Sequence, residues 1–166
     1  MTARQGNLFG FLACVALLAY AYYAQYVMHL DPCPLCIFQR IGVFALGVTF
    51  LIALVNDPVA WGRKIYAALL LLVALATIGV AARHLYIQSL PPDQIPACGA
   101  PLDVMLNIFS FSEVLVKVLT GDGECAKVTW RFLGLAMPAW VLISAVVLGG
   151  WGLFVNLRRQ KPILRF

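Results

Sequence analysis

Residues 65–82 read Ile-Tyr-Ala-Ala-Leu-Leu-Leu-Leu-Val-Ala-Leu-Ala-Thr-Ile-Gly-Val-Ala-Ala, an apolar run without a charged side chain. A bilayer core about 30 Å thick takes roughly 20 helical residues, each rising about 1.5 Å. The run is about that long, and a helix satisfies its own backbone groups where lipid offers no partners. Working outward, three more runs have the same character. Residues 8–28 and 132–155 carry no charge, and residues 37–55 carry only Gln39 and Arg40 near their start. Pro138 and the glycines of the last run are tolerable in a span, because neighbouring helices re-satisfy freed backbone groups. The pattern predicts an all-α membrane protein, a four-transmembrane-helix bundle in one integral membrane domain. The spans fall at about 8–28, 37–55, 65–82 and 132–155.

Composition agrees. Of 166 residues, 63% are apolar and only 11% charged. A soluble domain carries about 25% charged residues, so the chain is too poor in charge to cover a surface facing water. A cleaved signal peptide is the other reading of the first run, with Arg4 as its basic region and Ala19-Tyr20-Ala21 as a weak cleavage site. The uninterrupted apolar run and the missing polar region before that site favour a retained span.

Four spans put both termini on one side. That side holds Arg4, Arg63, Lys64, Arg158, Arg159, Lys161 and Arg165 against the single acid Asp57. The other side mixes Arg40, Arg83, Lys117, Lys127 and Arg131 with Asp31, Asp93, Asp103, Glu113, Asp122 and Glu124. The positive-inside rule then predicts cytoplasmic termini. This bias accounts for the net charge of +5 without a nucleic-acid partner. Two loops face outward, 29–36 and 83–131, and a short one, 56–64, faces inward.

Four of the five cysteines lie in the outward loops: Cys33 and Cys36 in the first, Cys98 and Cys125 in the second. That is the side on which disulfides persist. Cys14 lies within the first span and reads as a small buried apolar residue. A C-x-x-C motif serves as a redox pair, a metal pair or a staple. Ile37 follows Cys36, which excludes the haem-attachment motif, and no alternating β-α pattern suggests a thioredoxin fold. In Asp31-Pro32-Cys33-Pro34-Leu35-Cys36 the prolines set a turn, and a helix begins at the motif. The cysteines thus sit at a helix N-terminus, whose unpaired N–H groups stabilise a thiolate. Arg40 is one turn further along the same face. It reads either as a charge supporting the Cys36 thiolate and an anionic electron acceptor, or as an arginine snorkelling to the headgroups.

In the second loop, Pro91, Pro92 and Pro96 hold the approach to Cys98 extended. Gly121-Asp122-Gly123 makes a flexible turn before Cys125. Between them, residues 102–119 space their apolar side chains as a short amphipathic helix, too polar to span and suited to the membrane interface. A mobile cysteine pair beside a fixed one suggests a relay by thiol–disulfide exchange.

The chain resembles the DsbB family of bacterial inner-membrane thiol oxidases. The matching stretches are Cys33-Pro34-Leu35-Cys36-Ile37-Phe38-Gln39-Arg40, Cys98, Gly123-Glu124-Cys125-Ala126, Trp130-Arg131-Phe132-Leu133-Gly134-Leu135, Met137-Pro138 and Trp140. The resemblance implies reoxidation of DsbA, a soluble periplasmic dithiol oxidase, with the electrons passing to a membrane quinone (ubiquinone or menaquinone) and the respiratory chain. It also implies resting pairs Cys33–Cys36 and Cys98–Cys125. Cys98 is then attacked by the partner, Cys33–Cys125 forms transiently, and Cys36 is left as the thiolate facing the quinone. Arg40 and His84 match family positions near the quinone, His84 more loosely. A metal-binding or structural membrane protein is the reading from another class. A metal pump is excluded, because the chain has no P-loop and no room for a nucleotide-hydrolysing domain.

Overall fold

The computed structural model describes residues 2–59, 61–94, 104, 107, 108, 110, 113, 116, 120, 123–128 and 130–158. Its frame is four long helices: α1 (Ala3–Tyr26), α2 (Pro34–Asn56), α3 (Trp61–Gln88) and, after a short turn of helix α4 (Gly123–Ala126), α5 (Met137–Leu157). All four are long and apolar enough to cross a bilayer. The protein is therefore a multi-pass, all-α membrane protein, as the four apolar runs predict.

Local sequence explains where the helices stop. Thr2 and Gln5 form a reciprocal capping box at the start of α1, which satisfies two otherwise orphaned N–H groups. At the end of α2, Asp57 adopts a left-handed conformation (φ 39°) and donates its N–H to Ala53 O. Pro58 follows and cannot continue the helix. The helices do not start and stop where the apolar runs do; α1 already begins at Ala3, ahead of the run 8–28. The run 65–82 ends at Arg83 and His84, yet α3 continues through both to Gln88. The apolar run beginning at Phe132 does not enter a helix until Met137. Arg131–Phe132 and Leu135–Ala136 instead form a two-residue antiparallel ladder, β1 and β2. Leu133 (φ 51°) and Gly134 (φ 81°) make the turn. Two successive positive φ values give the hairpin connection whose twist suits paired strands.

Helix α3 packs chiefly on α5 and α2, and α1 on α2. Phe50, Leu46, Leu70, Ala74 and Leu148 form the central core. Cys14 is buried within it, its Cβ in close contact with the space a side chain at Gly47 would fill. Small residues let backbones approach where lipid gives helices no hydrophobic reason to associate. At Gly149, a Cβ would come within 2.7 Å of the Ala74 Cβ, so this α3–α5 contact requires glycine. The amphipathic helix expected over 102–119 lies largely outside the described residues, although Val104, Asn107, Ile108, Glu113, Val116 and Thr120 are helical. Arg83 donates to Thr120 O at 3.0 Å, fixing that part of the second loop to α3.

Candidate active site

Cys33 is the N-cap of α2, with Pro34 in the first helical position. Proline fits there because its missing N–H would be unpaired in any case. Among the described residues no side chain caps this end, and the positive pole of the helix faces the cysteines. The Cys33 thiol donates to Cys36 Sγ at 3.2 Å. That is roughly 1 Å beyond the S–S bond length of about 2.05 Å, so the pair is poised to close.

Cys125, on α4, is buried in a small cluster with Leu35 and Ile87, with Cys33 and Phe38 packed against it. One ligand atom from each of Cys33, His84 and Cys125 lies within 4.8 Å of the others. Two of the three loop cysteines that the structure describes thus come from different loops and meet at one point. Cys98 lies outside the described residues.

His84 sits among these sulfurs. It is only 2% exposed, because α3 runs past the apolar segment and carries it inward. Its Nε2 is 3.7 Å from Cys33 Sγ and 3.1 Å from the carbonyl oxygen of Cys125. Its Nδ1 is 3.0 Å from the Gln39 amide, and Gln88 approaches Nε2 at 3.4 Å. In the neutral ring only one nitrogen carries a proton. Donation from Gln39 to Nδ1 therefore places the proton on Nε2, where it is donated to the Cys125 carbonyl.

Beside the thiols lies a cavity of about 370 Å³. Cys36, Gln39 and Arg40 contribute its polar residues of α2, and Tyr20, Trp130, Phe132 and Trp140 its aromatic wall. The hairpin builds that wall. Trp130 stacks on Phe132 with centroids 6.0 Å apart and meets Tyr20 edge-on at 5.9 Å. The Trp140 indole N–H donates to Phe132 O at 3.2 Å, tying α5 to the hairpin. Arg40 does not extend away from the bundle. Its guanidinium donates to the Gln25 side chain and, at 3.1 Å, to Ala21 O, and it lies over the Tyr22 ring. His84 is not among the cavity-lining residues; Gln39 lies between it and the cavity.

The site therefore has an order: Cys125, Cys33, Cys36, cavity. Sequence reasoning assigned no role to Gln39, Gln88 or the aromatic wall. A signal existed for Gln39, a polar side chain near the start of an apolar span. Gln88 lies one helical turn beyond His84, a local spacing that the reading did not use, whereas Gln25 against Arg40 joins two helices without a local pattern.

A bundle of four spanning helices with cysteines gathered beside an apolar cavity defines a membrane protein built for thiol chemistry. The chain belongs to the DsbB family: the family model described as "Disulfide bond formation protein DsbB" matches residues 3–155. It is similar to proteins named "Disulfide bond formation protein B" from three bacteria. The one from Marinobacter nauticus is 47% identical, covering 98% of this chain and 96% of the relative. The one from Nitrosococcus oceani is 49% identical over 84% of this chain and 83% of the relative. The one from Chromobacterium violaceum is 44% identical over 97% of each. Disulfide bond formation by a membrane oxidoreductase is accordingly the activity of the family.

Proposed function

We propose that this protein reoxidises a periplasmic dithiol protein of the DsbA type by disulfide exchange and passes the electrons to a membrane quinone, ubiquinone or menaquinone. The observation that carries this reading is the order of the site, in which Cys125 adjoins Cys33, Cys33 is 3.2 Å from Cys36, and Cys36 borders the cavity. Cys98 and Cys125 form the pair that meets the partner, and Cys33 and Cys36 the pair that meets the acceptor.

A thiolate of the reduced partner attacks Cys98, breaking the Cys98–Cys125 disulfide and releasing Cys125 as a thiolate. Cys125 attacks Cys33, which forms Cys33–Cys125 and releases the Cys36 thiolate. The partner's second thiolate resolves its mixed disulfide and leaves oxidised, freeing Cys98. Cys98 then attacks Cys125, restoring the first pair and freeing Cys33. One S–S bond breaks for each that forms. Closing Cys33–Cys36 again completes the cycle, with two electrons and two protons leaving through the cavity.

The cavity fits a quinone. Its volume lies in the range of small-ligand pockets, about 300–1,000 Å³. Its aromatic wall suits a flat ring and an apolar tail, while Arg40 and Gln39 offer N–H donors to ring oxygens. Bound there, a quinone supplies an acceptor for two electrons and two protons. An acceptor is needed on energetic grounds. DsbA has a potential of about −120 mV, whereas structural disulfides lie below about −300 mV. A protein disulfide alone would therefore oxidise DsbA uphill by several kcal/mol, since about 30 mV corresponds to 1.4 kcal/mol. The residues around Cys36 serve its thiolate: the α2 N-terminus and the Arg40 charge favour the anion, and the apolar wall excludes water.

The test is quinone reduction by the purified protein in detergent, driven by a reduced periplasmic dithiol protein. Wild type turns over, while Cys36→Ser and Cys98→Ser stop it, with the partner trapped on Cys98 in a relay-blocked variant. Quinone reduction that persists in either variant overturns the relay.

A further inference from the structure

We infer that, in the fully reduced protein, Cys33, Cys125 and His84 form a binding site for Zn²⁺ and cations of its class, and that a metal held there arrests the enzyme. The geometry is close to what such an ion requires. Zinc binds thiolate at about 2.3 Å and imidazole at about 2.0–2.1 Å. A tetrahedral centre with those bonds spaces its ligand atoms roughly 3.5 Å apart. Cys33 Sγ and His84 Nε2 are 3.7 Å apart, and all three ligand atoms fall within 4.8 Å. The ligands come from three elements, the N-cap of α2, α3 and α4, and two are fully buried. Little ordering remains for a metal to impose.

The surroundings suit the ion as well. A metal-bound histidine ordinarily donates its second ring N–H to an acceptor. Gln39 lies 3.0 Å from His84 Nδ1, and its amide, turned over, presents Oε1 to an Nδ1–H. The proton then leaves Nε2, whose lone pair turns to the metal, at the expense of its bond to the Cys125 carbonyl. Gln88 adds a polar group beside the histidine. Its Oε1 is buried without a hydrogen-bond partner in the described structure, while its Nε2 lies 3.4 Å from His84 Nε2. Three protein ligands leave the fourth zinc position to a water, and the Gln88 amide, which reaches His84 Nε2, is near enough to hydrogen-bond such a water in either orientation.

The site depends on redox state. Binding replaces two S–H protons by two metal–sulfur bonds and releases both protons; no electrons move. A disulfide at either cysteine removes a ligand. Zinc therefore captures only the reduced protein, holding the two sulfurs that must pair in the transient Cys33–Cys125 step. This inhibitory consequence rests on the proposed relay, whereas the metal site does not.

Co²⁺, which reports tetrahedral thiolate ligation by its visible and near-ultraviolet absorption, is the probe. It is titrated anaerobically into the full chain, in detergent, reduced and freed of reductant. Wild type takes up one equivalent with tetrahedral thiolate bands, Zn²⁺ displaces it, and the oxidised protein shows none. Cys33→Ser and His84→Ala each weaken binding by roughly tenfold or more, the scale that even outer partners of metal ligands reach. Cys14→Ser binds as wild type. Circular dichroism of each variant, recorded alongside, keeps its helical signal, which separates loss of a ligand from loss of fold. Undiminished binding in a folded His84→Ala or Cys33→Ser, or absence of the bands in the reduced wild type, overturns the site. Quinone reduction is measured on the same samples with and without Zn²⁺. Metal-free turnover tests the relay, and zinc inhibition of prereduced but not oxidised enzyme tests the consequence.

Discussion

Gln39 and Arg40 are adjacent in sequence and divide the work of the cavity between them. Arg40 is held by two partners on α1, Gln25 and the Ala21 carbonyl. A guanidinium reaches both as a planar fork, which a lysine ammonium does not reproduce. Arg40→Lys should therefore keep the charge but lose its placement, raising the KM for quinone roughly tenfold, about 1.4 kcal/mol of binding, with a smaller effect on partner oxidation. Steady-state kinetics with quinone as the varied substrate checks this; an unchanged KM would show that charge alone suffices. Gln39 is 3% exposed and pairs with His84. Gln39→Leu keeps the bulk but strands the His84 Nδ1, at a cost of about 1–3 kcal/mol for an unpaired buried polar group. Thermal unfolding in detergent should show the loss in the metal-free protein. The sequence reading found Arg40 because a cation inside a span is costly and conspicuous. It could not find the Gln39–His84 pair, because α2 and α3 bring those residues together from 45 positions apart.

At the scale of elements, each of the four apolar runs is covered by a long helix, but the helices and the runs do not share their ends. The third run stops at Arg83 because a charge interrupts it, yet helix geometry does not require apolar residues. Arg83 finds Thr120 O and His84 finds Gln39 and Cys125, so α3 continues. The last run departs from its helix in the opposite sense. Phe132, Leu133 and Leu135 are apolar enough to read as span, but Gly134 and Leu133 turn the chain back before α5 starts. Leu133 is 77% exposed at the tip. A left-handed residue costs about 1–2 kcal/mol for side chains with a Cβ, and most for a β-branched one. Gly134→Val should destabilise the hairpin by about that amount and, by loosening the Trp130–Phe132 wall, weaken quinone binding more than it lowers the melting temperature. The α3–α5 contact offers a cleaner test of packing. Gly149→Ala places a methyl 2.7 Å from the Ala74 Cβ, an overpacking that costs about 1–3 kcal/mol. Ala74→Gly in the same chain should recover most of it. A double-mutant cycle read by unfolding in detergent measures the coupling; additive losses would mean that the two positions do not press on each other.

For the whole molecule, the bundle places its polar chemistry at opposite ends of the same helices. Cys33, His84 and Cys125 gather at one end. At the other, Asn7 and Asn156 exchange side-chain hydrogen bonds while buried, and Trp151 donates to Gly6 O, fastening α1 to α5. That end also carries Arg4, Arg63, Lys64 and Arg158, so the charge bias in the sequence and the position of the thiols together set a direction. By the positive-inside rule the expected orientation has the basic end in the cytoplasm and the cysteines in the oxidising compartment. The reverse orientation would put the relay where thiols are kept reduced. Helix α3 permits a direct measurement, since exposed residues lie near both of its ends: Trp61, 74% exposed, at the basic end and Ser89 just beyond Gln88 at the thiol end. In a background with all native cysteines replaced by serine, Ser89→Cys should react with a membrane-impermeant maleimide added to intact spheroplasts. Trp61→Cys should react only after the membrane is opened. The opposite pattern would place the thiols in the cytoplasm and remove the dithiol partner from reach, whatever the purified protein does in detergent. Equal labelling of both would mean mixed insertion. In that case, changing Arg63 and Lys64 to glutamine should increase the inverted fraction, because those charges lie in the short loop that the rule weighs most.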